Sequence, residues 1–220
     1  MLTRVKIAPL VAEFLGTALW VMVALVMSET TAVSYFIATS VAVGLAVAYM
    51  TFYAVSGSHF NPAITFGMWT ARRITTMRAV GYVIAQVIGG MVALWLYQYF
   101  VGHHLPTKTT HYTGQILLAE AVGTMVLAWG YAAAAYRAWE VTSAAVTVGA
   151  ALFVGVLVAA TASAGYLNPA VAVGLRSVSW AYVLGPLVGG LVGINLYNWL
   201  FMNAPVRIVK TTRVMSTKKK

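Results

Sequence analysis

Cysteine is absent from this chain of 220 residues, and so is aspartate. Without a thiol there is no disulfide, no thiolate metal site and no thiol catalysis, and no thiol for a mercurial to take. Charge is scarce: 8% of residues are charged, where a soluble domain has about a quarter. That scarcity excludes a soluble fold more firmly than the apolar content does. There is no phosphate loop, no intramembrane carboxylate cluster, no nucleophile–base pair and no metal-ligand set, so nothing points to an enzyme or to energy coupling.

What is present is apolar. Hydrophobic residues make up 61% of the chain, with mean hydropathy +0.83. A membrane-spanning helix needs about 20 mostly apolar residues. Six stretches qualify, at 9–31, 34–55, 79–101, 115–136, 141–162 and 180–201. Two further helical segments, 62–70 and 169–177, are too short to cross. The first stretch follows Arg4 and Lys6 as a signal peptide would, but it is too long and holds Glu13.

Of the fourteen Lys and Arg residues, twelve fall on one side of a six-span arrangement, among them Lys6, Arg72, Arg73, Arg78, Arg137 and the tail from Arg207 to Lys220. Only Lys108 and Arg176 fall on the other. The excess of cationic loops predicts that both termini are cytoplasmic. The net charge of +10 thus reads as topology plus contact of the tail, 202–220, with anionic lipid. No aromatic-interleaved motif supports a nucleic-acid partner.

Asn61-Pro62-Ala63 recurs as Asn168-Pro169-Ala170, and Ala12-Glu13 through Gly16-Thr17 recurs as Ala119-Glu120 through Gly123-Thr124. Both offsets are 107 (168 minus 61, 120 minus 13). After the tripeptide the offset falls to 100, since Gly81-Tyr82-Val83 matches Ala181-Tyr182-Val183. The chain is therefore one transmembrane domain, 1–220, made of a repeat at about 9–101 and another at about 115–201. Three spans per repeat is an odd number, so the copies are inverted in the membrane. Proline suits the first position of a helix, and the preceding asparagine can cap it while its NH₂ group stays free to donate. Nine residues of helix rise about 13 Å, roughly half the apolar core. The two short helices should meet tip to tip near the midplane. The irregular segments before them must be buried or wet. Their carbonyls, those of Gly57, Ser58, His59, Phe60, Ala164, Tyr166 and Leu167, are candidates for a line of acceptors along a pore. Gly185, Gly189 and Gly193 allow a close helix crossing in the last span; glycine is common in membrane helices, and some of Gly16, Gly44, Gly123 and Gly149 need no special role.

With both Asn-Pro-Ala loops, both Ala-Glu-x-x-Gly-Thr starts and six spans, nearly the whole chain resembles the aquaporin, or major intrinsic protein, family. The resemblance implies an all-α membrane protein of six transmembrane helices and two re-entrant half-helices, forming a homotetramer with one pore per subunit. It implies that Asn61 and Asn168, within their Pro-Ala motifs, donate to the permeating molecule. It makes Glu13 and Glu120 braces for the re-entrant loops, and His59 a structural residue of the first loop. It implies no cofactor and no metal. Aligned outward from the motifs, the second constriction consists of Val41, Val156, Gly165 and Val171. Most water-selective members carry arginine where this chain has Val171, and often an aromatic and a histidine at the positions of Val41 and Val156.

A collar of three valines and a glycine is wide and oily. The expected activity is passive passage of water and small neutral solutes of the glycerol, urea, ammonia or peroxide class, in the plasma membrane. Arg176, Tyr166, His103, His104 and His111 are the other residues that could narrow the opening. Without aspartate, the chain lacks a residue common near the second motif of glycerol facilitators. Two alternatives stand beside this: a structural or adhesive membrane protein with a weakly conducting pore, and an ion-permeable channel.

Overall fold

The computed structural model describes residues 4–109 and 112–202. The basic tail from Arg207 onward and His111 lie outside the described residues. All regular structure among the described residues is helical, in the order α1 (Arg4–Thr30), α2 (Ser34–Ser56), α3 (Pro62–Thr70), α4 (Thr76–Val101), α5 (Gly114–Tyr136), α6 (Val141–Ala159), α7 (Pro169–Gly174) and α8 (Trp180–Phe201). Six are long and apolar enough to span a bilayer.

The boundaries follow local chemistry. Thr75 caps α4 by accepting from the Arg78 N–H, and Thr113 caps α5 by accepting from Ile116 N–H. α2 ends on Gly57 in the left-handed conformation (φ +86°). Two elements are shorter than their apolar runs predict. α6 stops at Ala159 rather than near 162, because the chain turns there to deliver Ser163 to Glu120 (2.8 Å). α7 stops at Gly174 rather than near 177. It closes with Ser177 N–H on Ala172 O and Arg176 at φ +53°, a Schellman-type end that satisfies the last carbonyls.

The packing is pairwise and repeats between halves. α1 lies on α2 and α4 as α5 lies on α6 and α8, and α2 meets α6 across the middle. Each short helix crosses over: α3 packs on α8 and α7 on α4. Glycine permits this crossing. A Cβ on Gly90 would stand 2.6 Å from Ala170 O, and one on Gly190 would collide with Ala63 O. The first residues of each short helix therefore rest directly on backbone of the other half. Gly185 and Gly189 approach α5 equally closely, as expected; so do Gly123 and Gly149 against α6 and α2 partners.

Candidate functional site

The two short helices start at the centre of the molecule. Pro62 and Pro169 occupy the first helical position, and Asn61 and Asn168 sit before them in extended conformation (φ −153° and −156°). Each Asn Oδ1 accepts from the N–H two residues on, at 2.8 Å from Ala63 and 2.9 Å from Ala170. Each Nδ2 donates across the molecular midline: Asn61 to Leu167 O at 2.8 Å, Asn168 to Phe60 O at 3.0 Å. One amide hydrogen is thus committed to the opposite loop. The free NH₂ group read from the sequence is reduced to a single remaining N–H on each side, and its direction is set by the bond its partner hydrogen makes.

Both loops hang on a buried carboxylate. Glu13 accepts from Ser56 Oγ (2.7 Å), His59 N–H (2.9 Å) and Phe60 N–H (2.6 Å). Glu120 repeats the pattern 107 positions on, accepting from Ser163 Oγ (2.8 Å), Tyr166 N–H (3.0 Å) and Leu167 N–H (2.7 Å). Phe60 and Leu167 both stand at positive φ (+51° and +54°), a strained setting for residues with a Cβ. The charge-assisted bonds to their N–H groups hold them there.

The halves then diverge. In the first, Gln86 Nε2 donates both to Glu13 Oε2 (2.8 Å) and to Thr65 Oγ1 (2.9 Å). Thr65 Oγ1 also lies 3.1 Å from His59 Nδ1, so the chain Glu13–Gln86–Thr65–His59 is continuous, and the histidine tautomer sets which of the last pair donates. In the second half the corresponding residues are Tyr166, Ala172 and Pro186. Ala172 and Pro186 cannot extend such a network; Tyr166 hydrogen-bonds Ser177 and packs at a tilt against Tyr182, ring centroids 4.4 Å apart.

The seven loop carbonyls differ in availability. Tyr131 OH reaches both Ser58 O and His59 O at 3.0 Å, and the asparagines occupy Phe60 O and Leu167 O. Ser58 O and His59 O share the one Tyr131 hydrogen, and Phe60 O and Leu167 O each keep one lone pair. Gly57 O, Ala164 O and Tyr166 O accept no hydrogen bond among the described residues.

Val41, Val156, Gly165 and Val171 lie around one cavity of about 270 Å³, which opens on the side of the α4–α5 loop. The three valines are 5%, 3% and 3% exposed, so their contact with open space is confined to that wall. Gly165 combines φ +66° with Val156 O only 3.1 Å from where a Cβ would be. A side chain there would be strained and crowded. Tyr166 shares the wall. Arg176 does not: it donates to Leu105 O (2.6 Å) and Thr107 Oγ1 (2.8 Å), pinning the α4–α5 loop to the end of α7. His103 and His104 are exposed in that loop and also stand off the cavity.

Sequence reasoning missed two contributors. Trp20, Ala24 and Ser28 of α1 line the cavity. They continue the face of Glu13 and Thr17 at helical spacing, a signal that could have found them. Lys108 is the charged side chain among the cavity's lining residues, held at 2.9 Å from Glu29. Nothing local marks it, because its partner is 79 positions away.

The family model for Major intrinsic protein matches residues 2–197. Aquaporin NIP1-1 of Zea mays is 34% identical over 189 residues, covering 79% of this chain and 67% of the relative. Aquaporin TIP2-3 of Zea mays is 32% identical over 228 residues, covering 91% and 90%. Among solved structures, the aquaglyceroporin from Plasmodium falciparum superposes with TM-score 0.75 at 18% identity, covering 88% of this chain and 96% of that one, a likeness of fold. Two capped helix tips bonded across an inverted repeat, and a family match over nearly the whole length, together make this chain a member of the major intrinsic protein family, the aquaporins.

Proposed function

We propose that this channel for water and small solutes is a wide one, passing glycerol-, urea-, ammonia- or peroxide-sized neutral molecules, with Val41, Val156, Gly165 and Val171 as its filter. The observation that carries the reading is the grouping of these four side chains, none of them a hydrogen-bond donor, around one cavity. A solute leaving bulk water there meets the three valines, and the carbonyls of Ala164 and Tyr166, which have no donor among the described residues. Narrow, donor-rich filters reward water alone; this one offers width and contact with carbon.

Deeper in, the remaining amide hydrogens of Asn61 and Asn168 bind the oxygen of the passing molecule. The positive ends of α3 and α7 face the same point. A cation or a hydronium meets that field without a compensating acceptor, so neutral species are favoured. The whole chain acts as one channel domain of two inverted repeats, 9–101 and 115–201. Subunits assemble as a homotetramer with a pore in each. The loop charges support cytoplasmic termini in a plasma membrane, with the basic tail against anionic lipid.

Stopped-flow light scattering on liposomes holding the purified chain tests this. Water, glycerol and urea permeabilities should all exceed those of empty vesicles. Val171→Arg should lower glycerol and urea flux more than water flux. If both solute fluxes are unchanged by it, Val171 is not at the constriction and the filter assignment falls.

A further inference from the structure

α4 and α8 do not approach each other directly; the short helices α3 and α7 stand between them. Outside that pair an open groove of about 600 Å³ runs along the molecule, walled by Phe66 of α3, Val83 and Val87 of α4, Val173 of α7 and Leu187 of α8. Its floor includes Pro62 and Pro169, the first residues of the two half-helices. It therefore reaches the depth at which those helices meet.

At its other end the groove changes character. Trp69 and Thr76 line it and also line a second cavity, of about 470 Å³, formed with Arg72, Arg73 and Arg78. The indole N–H of Trp69 donates to Thr76 Oγ1 at 3.0 Å, so the two spaces join at a fixed corner. The three arginines are exposed. Among the described residues the one ion pair is Lys108 with Glu29, so none of the three has a carboxylate partner. Arg73 lies over the Tyr136 ring (4.4 Å), which positions it while leaving its charge unneutralised. The N-terminus of α4, capped by Thr75, adds its positive end to the same cavity.

The dimensions match one kind of occupant. From Thr76 to Val87 the helix rises about 16 Å. That is about half of an apolar core near 30 Å thick, the depth of a single leaflet. We propose that this groove and its arginine corner are a binding site for one anionic phospholipid, its phosphate at Arg72, Arg73 and Arg78 and an acyl chain along α4 down to the half-helix tips. The site shares no lining residue with the filter cavity. It uses the pairing of apolar groove and basic pocket that recognises anionic headgroups between transmembrane helices.

Native mass spectrometry of the full chain in detergent tests it, with phosphatidylglycerol and phosphatidylcholine of identical acyl chains as probes. The wild type should hold one phosphatidylglycerol per chain on the order of a hundredfold more tightly than phosphatidylcholine, from three basic contacts. Arg72→Gln/Arg73→Gln/Arg78→Gln, all at exposed positions, should lose that one tight adduct while water permeability in liposomes is kept. Val83→Trp, which fills the groove, should weaken both lipids by a similar factor. The proposal is overturned if the triple variant keeps its tight adduct, if the wild type does not distinguish the two lipids, or if Val83→Trp changes the oligomeric mass and leaves lipid occupancy intact. The last result would make the groove a contact between copies of the chain.

Discussion

Glu13 and Glu120 are ionisable side chains at a depth where a lone carboxylate costs about 3 kcal/mol. Each is fully buried and accepts at least three hydrogen bonds, two of them from backbone N–H groups of the adjoining loop. Glu120 has no counterpart of Gln86 to share its burden. Glu120→Gln places an NH₂ group against N–H donors, and each lost bond to a charged acceptor is worth about 1.5–3 kcal/mol. The variant should unfold at a visibly lower midpoint in a detergent thermal melt; an unchanged midpoint would show that Glu120 does not hold the loop.

Lys108 sits where a missing arginine matters. Its ammonium neutralises Glu29 beside the cavity mouth. Lys108→Gln leaves that carboxylate alone, which raises the local concentration of cations. Proton or sodium leak into vesicles should rise, and the added change Glu29→Gln should bring it back down. A leak that ignores both substitutions would remove any role for the pair in selectivity.

At the scale of elements, the half-helices are placed by what lies beneath them. Ala63 rests on Gly190 and Ala170 on Gly90 with backbone in contact. Gly190→Val drives a branched side chain into the Ala63 carbonyl, where no flexible group can yield. Overpacking of this kind costs about 1–3 kcal/mol. It should also misplace Asn61, whose bond to Leu167 depends on the tip position. The expected result is a lower melting midpoint together with reduced water permeability; normal values of both would mean that the crossing is looser than the structure has it. The existence of these elements was legible in advance, since apolar length and the Asn-Pro pair are local signals. Their ends were less so. α6 and α7 stop early because of bonds to Glu120 and within the 172–177 turn, which no run of hydropathy reports.

For the molecule as a whole, the field of two inward-facing helix tips should reject charge even with Val171 in the filter. Proton flux under a pH gradient should stay close to that of empty liposomes while water flux is high, and bilayer recordings should show no unitary currents. A large proton leak in the native chain would show that the tips alone are insufficient.

Composition, repeat spacing and the Asn-Pro-Ala pair determined by themselves that this chain spans a membrane six times, folds as two related halves and turns two capped helices inward. These features rest on hydropathy and on capping, which act over a few residues. Only the tertiary structure decided what each cap is bonded to, why the loops of the two halves are held differently, and which residues share the filter cavity. Asn168 finds Phe60 O across 108 positions, Tyr131 supports a loop 72 and 73 positions before it, and Lys108 meets Glu29 across 79. Such contacts form because folding brings distant backbone together, so no local pattern encodes them. The groove behind the pore has the same origin: its four walls come from four helices that are neighbours in space and not in order.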